Sequence, residues 1–163
     1  MDIVVLAGGL SPERDVSLVT GRQVCAALRA NGHRVILMDV YIGRAGSAAR
    51  DWFEKSEEVS IAVEEIAETA PDLSAVRALR TDPANGYFGP NVIELCRMAD
   101  IVFMALHGEN GENGKIQAVF DLYGIRYTGS SYLSSAIAMN KDLAKKILAA
   151  GGVPVPRGFA VKK

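Results

Sequence analysis

The first 40 residues contain a strand–helix–strand pattern that narrows the fold more than any other part of the chain. Residues 3–7 are a short, fully apolar run rich in β-branched side chains, which is typical of a strand buried on both faces. A glycine pair at 8–9 ends this run, and the spacing of apolar residues then predicts a helix over 17–31 and a second strand over 34–40. Two strands joined through a helix lie parallel with a right-handed crossover, so the pattern predicts an α/β fold with a parallel sheet.

The apolar pattern returns after Pro90 and completes the predicted sheet. Residues 101–106 are a third strand of the doubly buried kind, and residues 125–128 predict a fourth, shorter strand. Further helices are predicted over 91–98, 115–123, 131–139 and 141–150, with proline in the first turn of the first of these.

Residues 41–89 are the least regular part of the chain. Acidic side chains indicate a solvated face built from short helices or an edge hairpin, and residues 82–86 and 89–90 predict turns. No function follows from this segment. The acidic residues are Glu57, Glu58, Glu64, Glu65 and Glu68.

The charge balance and the apolar pattern exclude several classes of function. With 18 Lys and Arg against 19 Asp and Glu, the net charge of −1 gives no basic surface for nucleic acid or an anionic membrane. No apolar run reaches the roughly 18 residues of a membrane-spanning helix, and the first strand does not resemble a signal peptide. We therefore expect a cytoplasmic protein. Cys25 and Cys96 lack CxxC spacing and a nearby histidine, so we expect them to pack in the core.

Two polar loops follow the first and third predicted strands, and together they form the candidate site. In open α/β sheets, ligands bind beyond the carboxyl ends of the strands, where the strand order reverses. We expect the first and third strands to flank that point. This arrangement would bring Glu13, Arg14 and Ser17 close to His107.

Each of these loop residues also has a purely structural interpretation. The glycine pair 8–9 before a helix N-terminus suits an anion such as a carboxylate or phosphate, but equally a tight turn with Ser17 capping the helix. Glu13 can receive an ammonium group or form a surface ion pair with Arg14. His107 follows a buried strand directly, where it can contact a ligand, act as a general acid, or be satisfied by backbone groups.

Common phosphate and metal motifs do not fit these loops. The glycines do not match the GxGxxG pattern of dinucleotide-binding folds. The P-loop pattern needs glycine at position 109 and Ser or Thr at position 116, where the chain has Glu109 and Ile116. The loop after His107 lacks the ligand order of an EF-hand, and no His or Cys spacing indicates zinc. The sequence therefore predicts no metal site.

Taken together, these loops resemble the N-terminal half of the D-alanine–D-alanine ligase family. The motifs occur in the family's order across nearly the whole chain, which makes the set far more specific than any one of them. The matching segments are residues 7–18 (AGGLSPERDVSL), 105–108 (ALHG), 111–117 (GENGKIQ), 127–130 (YTGS), 138–141 (AMNK) and 152–156 (GVPVP).

The resemblance implies a three-layer, Rossmann-like pre-ATP-grasp domain with a mostly parallel sheet over residues 1–129. The incomplete beginning of an ATP-grasp domain would follow over 130–163. The implied activity is an ATP-dependent ligase that joins two D-alanines through an acyl phosphate for peptidoglycan synthesis. The implied ligands are D-alanine, ATP and Mg²⁺, with the magnesium ligands beyond Lys163. We expect this chain to be inactive alone, and a homodimer through the N-terminal domain stays open.

The resemblance also implies a role for each matching residue. Glu13 would hold the ammonium group of the first D-alanine with help from the Ser17 hydroxyl, and Val16 would line the pocket for its methyl group. His107 would lie near the carboxylate being activated and steady the charge that develops on it. Lys141 would reach the ATP phosphates as a point charge.

The chain departs from the family pattern at Asn113 and Asn140, where the family usually has Asp. Asparagine keeps the shape and turn-forming ability of aspartate but removes its charge, so we expect the fold to be preserved. We also expect phosphate binding beside Lys141 to be slightly weaker.

Two other functions remain open at this point. The first is a ligase that makes D-alanyl-D-lactate or D-alanyl-D-serine, because the second substrate is chosen largely by residues beyond Lys163. The second is a non-catalytic Rossmann-like module that binds an amino acid or dimerises. A generic dinucleotide-binding domain ranks last because the glycine fingerprint is missing.

Overall fold

A three-stranded parallel sheet lies at the centre of the computed structural model, which describes residues 1–61, 71–80, 82 and 86–161. Strand β1 (Asp2–Ala7) lies between β2 (Arg34–Asp39) and β3 (Ile101–Met104). The chain leaves β1 for β2 on one side and reaches β3 on the other side. The strand order therefore reverses at β1, as predicted, and the carboxyl ends of β1 and β3 are neighbours.

The strands are paired so that their buried central residues lie side by side. Val4 of β1 pairs with Ile36 of β2 and with Val102 of β3, and all three side chains are completely buried. These apolar runs fit a sheet that is covered on both faces.

Helix α1 (Arg14–Ala30) covers one face of the sheet, where Cys25 packs among the side chains of Val5 and Leu37. It begins three residues earlier than predicted. The cause is a first turn closed by the backbone bond from the Ser17 N–H to the Glu13 carbonyl, at 3.0 Å. Ser17 therefore lies inside the helix and does not cap it.

The segment between β2 and the second half of the domain contains short helices, as predicted. A 3₁₀ turn spans Arg50–Trp52, followed by α2 (Ser56–Val59) and α3 (Leu73–Ala78). Glu57 and Glu58 are exposed on α2, as expected for a solvated face. The predictions for Glu64, Glu65, Glu68 and for residues 83–85 of the turn lie outside the described residues.

The opposite face of the sheet is covered by α4 (Val92–Met98) and α6 (Lys115–Tyr123), with the single turn α5 (Glu109–Glu112) before α6. Cys96 of α4 is buried in this core, and burial raises the pKa of its thiol well above the usual range. Both cysteines are buried and free, so their predicted packing role is confirmed. Pro90 precedes α4 instead of forming its first turn.

The predicted fourth strand is reduced to one parallel bridge between Val102 and Tyr127. The ladder stops because the Met104 N–H donates to the side-chain hydroxyl of Thr128, at 3.1 Å, and not to a backbone carbonyl. Strand β3 also ends earlier than the predicted residue 106. Ala105 still donates its N–H to the Leu6 carbonyl, at 2.9 Å.

Helices α7 (Tyr132–Met139) and α8 (Lys141–Ala150) follow, close to their predicted bounds. Neither contains a buried residue, and large apolar side chains such as Leu133 and Ile147 are exposed. None of the helices in the described part of the chain combines the length and apolar character that a membrane crossing requires.

Candidate functional site

The turn after β1 is held by an ion pair between Arg14 and Asp39. Arg14 Nη2 lies 2.5 Å from Asp39 Oδ2, and the side chains are 11% and 2% exposed. Arg14 also donates to the Gly9 carbonyl, at 2.9 Å, while Asp39 Oδ1 accepts the N–H groups of Tyr41 and Ile42 at 2.8 and 2.9 Å. A nearly buried charge pair with this many backbone partners fixes the start of α1 against the end of β2.

Position 8 requires glycine because the backbone there lies directly against the Arg14–Asp39 ion pair. Its φ of 72° lies in the left-handed region, and a β-carbon at this position would overlap the Asp39 carboxylate. The Gly9 N–H donates to Asp39 Oδ1, at 3.4 Å. The close approach of this turn to an anionic group is therefore made by the protein's own Asp39 carboxylate, and the predicted binding of a ligand anion here stays a prediction.

Ser17 connects the ends of the two strands that flank the site. Its hydroxyl accepts the Gly8 N–H at 2.9 Å and donates to the Ala105 carbonyl at 2.7 Å, and the side chain is completely buried. The predicted contact between this hydroxyl and a substrate ammonium stays a prediction. In the structure, the Ser17 hydroxyl links the backbone of the turn after β1 to the backbone at the end of β3. Arg14, Ser17 and Asp39 are called the inner group below.

Glu13, His107 and Glu112 form a second group at the protein surface. One ligand atom of each residue lies within 4.8 Å of the other two, and both carboxylates are exposed while His107 is half-buried. The predicted convergence of Glu13 and His107 is therefore confirmed. We call these three residues the outer group. Although the sequence predicted no metal site, their two carboxylates and one imidazole are suited to a cation or an ammonium group.

Glu13 does not pair with its neighbour Arg14, which is turned inward to Asp39. Among the residues that the structure describes, no ion pair with Glu13 is found. Its side chain also makes no capping bond to α1. The alternative interpretation of Glu13, a surface ion pair with Arg14, is therefore wrong.

The remaining predicted substrate residue, Val16, lies on the first turn of α1 and is 46% exposed. An apolar side chain this exposed, one turn after Glu13, is available to contact a bound molecule. Its predicted role in a methyl pocket stays a prediction.

The loops after β1 and β3 touch each other directly. Ser11 lies so close to Gly108 (φ 79°) that a β-carbon at position 108 would overlap its hydroxyl. Tyr87 interacts with the Leu10 backbone and the Asn110 side chain, and burial raises the pKa of its phenol above the usual range. These contacts hold the two loops in one cluster.

Lys141 begins α8 and lines an open groove with other basic side chains. Lys145, Lys146 and Arg157 belong to the same lining, although Lys146 also pairs with Asp142 at 2.6 Å. Such a groove is suited to phosphate groups.

The two departures from the family pattern lie along a second, shallow groove beside Lys141. Asn113 accepts the Lys115 N–H at 3.1 Å, and Asn140 caps α8 by accepting the Leu143 N–H at 3.1 Å. Both side chains keep their turn-forming role, so the expectation that they preserve the fold is confirmed.

Several residues of the site have no separate signal in the sequence. Glu112 belongs to a matched motif, but its approach to Glu13 depends on the single turn α5. Asp39 and Tyr87 reach the loops from distant segments, and Thr20 approaches His107 from α1. Only a helical projection of α1, which places Glu13 and Thr20 on one face, would have indicated Thr20.

The sequence matches one protein family over most of its length. The family described as the D-ala D-ala ligase N-terminus matches residues 2–130.

Individual relatives agree with this match. The chain is 42% identical over 156 residues to a D-alanine–D-alanine ligase of Lacticaseibacillus casei, covering 94% of the chain and 43% of the relative. It is 44% identical over 151 residues to a ligase of the same name from Pediococcus pentosaceus, covering 91% and 42%. The chain therefore spans less than half the length of the curated relatives it matches.

A solved structure shares the fold. The D-alanine–D-alanine ligase of Bacillus anthracis, complexed with ATP, matches with a TM-score of 0.58 and 27% identity. The match covers 96% of this chain and 38% of that structure.

Proposed function

We propose, since the chain belongs to the D-ala D-ala ligase N-terminus family, that it is the part of a D-alanine–D-alanine ligase that holds the first D-alanine. In the proposed reaction, ATP phosphorylates the carboxylate of this D-alanine. The amine of a second D-alanine then attacks the acyl phosphate, and the dipeptide forms as phosphate leaves.

The observation that carries the proposal is the inward turn of Arg14. Because Arg14 pairs with Asp39, the neighbouring Glu13 carboxylate stays at the surface beside Glu112 and His107. Two carboxylates that share no cation repel each other, and a substrate ammonium between them relieves that repulsion. We therefore assign Glu13 to the ammonium group of the first D-alanine, with Glu112 as a second carboxylate.

The orientation of the substrate follows from the neighbours of Glu13. Val16 presents an apolar surface on the same helix, which suits the methyl group of D-alanine. His107 lies within the same cluster, so in its protonated form it would donate a hydrogen bond to a carboxylate bound near it and hold that group while one of its oxygens attacks the γ-phosphate of ATP. Ser17 acts from beneath, by holding the Gly8 and Ala105 backbone.

The groove beside α8 supports binding of the ATP phosphates. Lys141 stands there with Lys145 and Arg157, whose charges fit a polyphosphate. Bound Mg²⁺ would supply additional neutralisation of phosphate charge. We place its ligands in the region that the relatives have beyond the matched part.

The proposal also includes two domains, residues 1–129 and residues 130–163. It is supported by the family match, which ends at residue 130, and by α7 and α8, which bury no side chain. A homodimer through residues 1–129 belongs to the same proposal, and analytical ultracentrifugation of the chain tests it.

The test is a pair of variants in an enzyme of the relatives' full length that contains this chain. Glu13→Gln removes the charge that meets the ammonium group, so it should raise the KM for the first D-alanine and lower turnover. Asp15→Asn, in the same helical turn, is the matched control and should leave both unchanged. If D-alanine-dependent phosphate release from ATP is unaffected in Glu13→Gln, the assigned role is wrong.

His107→Gln tests whether His107 acts on the D-alanine carboxylate or on the nucleotide. Because His107 is assigned to holding the carboxylate that is phosphorylated, its loss should lower turnover with little change in the KM for ATP. An effect confined to ATP affinity would place His107 on the nucleotide side and contradict the assignment.

A further inference from the structure

The side chain that meets the His107 ring is Thr20, two helical turns after Glu13 on α1. Thr20 Oγ1 lies 3.3 Å from His107 Nε2. Residues seven apart in a helix lie on the same face, so one face of α1 presents both Glu13 and the partner of His107.

The single proton of the Thr20 hydroxyl determines whether Thr20 or His107 donates the hydrogen bond between them. The hydroxyl has one proton, and it donates that proton to the Val16 carbonyl one turn earlier, at 2.9 Å. The same oxygen can therefore only accept a hydrogen bond from His107. An acceptor at this position requires a proton on Nε2, which leaves the lone pair of the neutral ring on Nδ1.

The backbone that precedes His107 is held by the same helix. Ser17, one turn before Thr20, donates to the Ala105 carbonyl at 2.7 Å. Two hydroxyl groups on one face of α1 therefore contact the segment after β3. Ser17 bonds to its backbone at Ala105, and Thr20 bonds to the imidazole ring of His107.

We propose that Thr20 is a positioning residue that orients the His107 ring and holds it in the Nε2-protonated tautomer, so that Nδ1 is the nitrogen that meets the substrate. The value of this arrangement for catalysis rests on the proposed function; the tautomer does not. In the neutral ring Nδ1 carries a lone pair and can only accept a hydrogen bond. The role assigned to His107 beside the substrate carboxylate therefore requires the imidazolium, in which Nδ1–H donates to a carboxylate oxygen while Nε2–H stays on Thr20. Free rotation of the ring would present either nitrogen at random.

The tautomer is measured directly by the ¹⁵N chemical shifts of the ring nitrogens in the 163-residue chain, at alkaline pH where imidazoles are neutral. The chain has two histidines, so His33→Gln assigns the His107 signals. We expect a protonated-type shift at Nε2 and an unprotonated-type shift at Nδ1. The opposite pattern, or an equal mixture, would overturn the proposal.

Two variants separate the hydroxyl from the shape of the side chain. Thr20→Val keeps the shape and removes the hydroxyl, so the two ring shifts should move towards the average of both tautomers. Thr20→Ser keeps the hydroxyl and should restore the wild-type shifts. Backbone amide spectra show whether each variant is folded. Unchanged ring shifts in a folded Thr20→Val variant would overturn the proposal.

The catalytic consequence is tested separately in the full-length enzyme. There, Thr20→Val should lower kcat several-fold at unchanged KM for D-alanine, and Thr20→Ser should recover it. If the ring shifts respond as expected while kcat does not, the positioning of the ring stands and the assigned role of His107 in the reaction fails. If the shifts do not respond, the inference about Thr20 fails while the role of Glu13 is unaffected.

Discussion

The inner and outer groups contain the neighbouring residues Arg14 and Glu13, yet they differ in what satisfies their polar atoms. The inner group, Arg14, Ser17 and Asp39, is nearly or fully buried, and its members bond to one another or to backbone groups. The outer group, Glu13, His107 and Glu112, is exposed or half-buried and brings two negative charges together. Buried polar groups must be paired to be tolerated, whereas an exposed set with like charges is suited to a ligand.

This difference suggests separate tasks for the two groups: the buried inner group stabilises the fold, and the exposed outer group is available for a ligand. Glu13 and Arg14 are adjacent in the chain, but Arg14 turns inward to Asp39 while Glu13 stays at the surface, where the proposed function assigns it to the ligand. Variants of the inner group should therefore reduce stability, and variants of the outer group should reduce substrate binding at unchanged stability.

The largest effect is expected for Asp39→Ala. The substitution leaves the Arg14 guanidinium without its partner in a nearly buried position, which costs about 3–5 kcal/mol of unfolding free energy. Urea denaturation followed by circular dichroism measures this loss. Asp51→Ala, in the exposed pair with Lys55, is the control and should cost less than about 1 kcal/mol. Equal losses in the two variants would contradict the structural role of the inner group.

A smaller effect is expected for Ser17→Ala. It leaves the Gly8 N–H and the Ala105 carbonyl without their shared partner, at a cost of about 1–3 kcal/mol. Ser47→Ala, at an exposed loop position, should change the free energy of unfolding by no more than about 0.5 kcal/mol. A Ser17→Ala variant as stable as the wild type would show that the brace between the strand ends is dispensable.

The smallest effect on stability is expected in the outer group. Glu13→Gln and Glu112→Gln keep the side-chain shape at exposed positions, so the free energy of unfolding should stay within about 0.5 kcal/mol of the wild type. The same denaturation experiment measures both. A large loss in either variant would mean that its carboxylate supports the fold, and the contrast between the two groups would fail.

The sequence predicted the parts of this arrangement that depend on local pattern. Apolar runs located the strands β1 to β3, and the rule that ligands bind beyond the carboxyl ends of strands in open sheets predicted that Glu13 lies near His107. The partner of Arg14 could not be predicted, because two acidic residues flank it in the chain and its partner, Asp39, comes from the end of another strand. The fourth strand was overpredicted since a single side-chain hydroxyl, on Thr128, interrupts its ladder.

Some site residues depend on orientation within a short element. Glu112 reaches the outer group only through the single turn α5, whose four residues (ENGE) include no apolar side chain that would define a face. A helical projection of α1 places Thr20 on the same face as Glu13, but the contact of Thr20 with His107 depends on where α1 lies over the sheet and on the direction of the Thr20 hydroxyl.

The central claim is that the Glu13 carboxylate, freed by the Arg14–Asp39 pair, receives the ammonium group of D-alanine. The most direct measurement is the ratio of the affinities for D-alanine and D-lactate in the full-length enzyme without ATP, since the two molecules differ by the ammonium group. Wild type should bind D-alanine more tightly, and Glu13→Gln should remove most of that preference, with D-lactate affinity little changed. A preference for D-alanine that survives in Glu13→Gln would contradict the account.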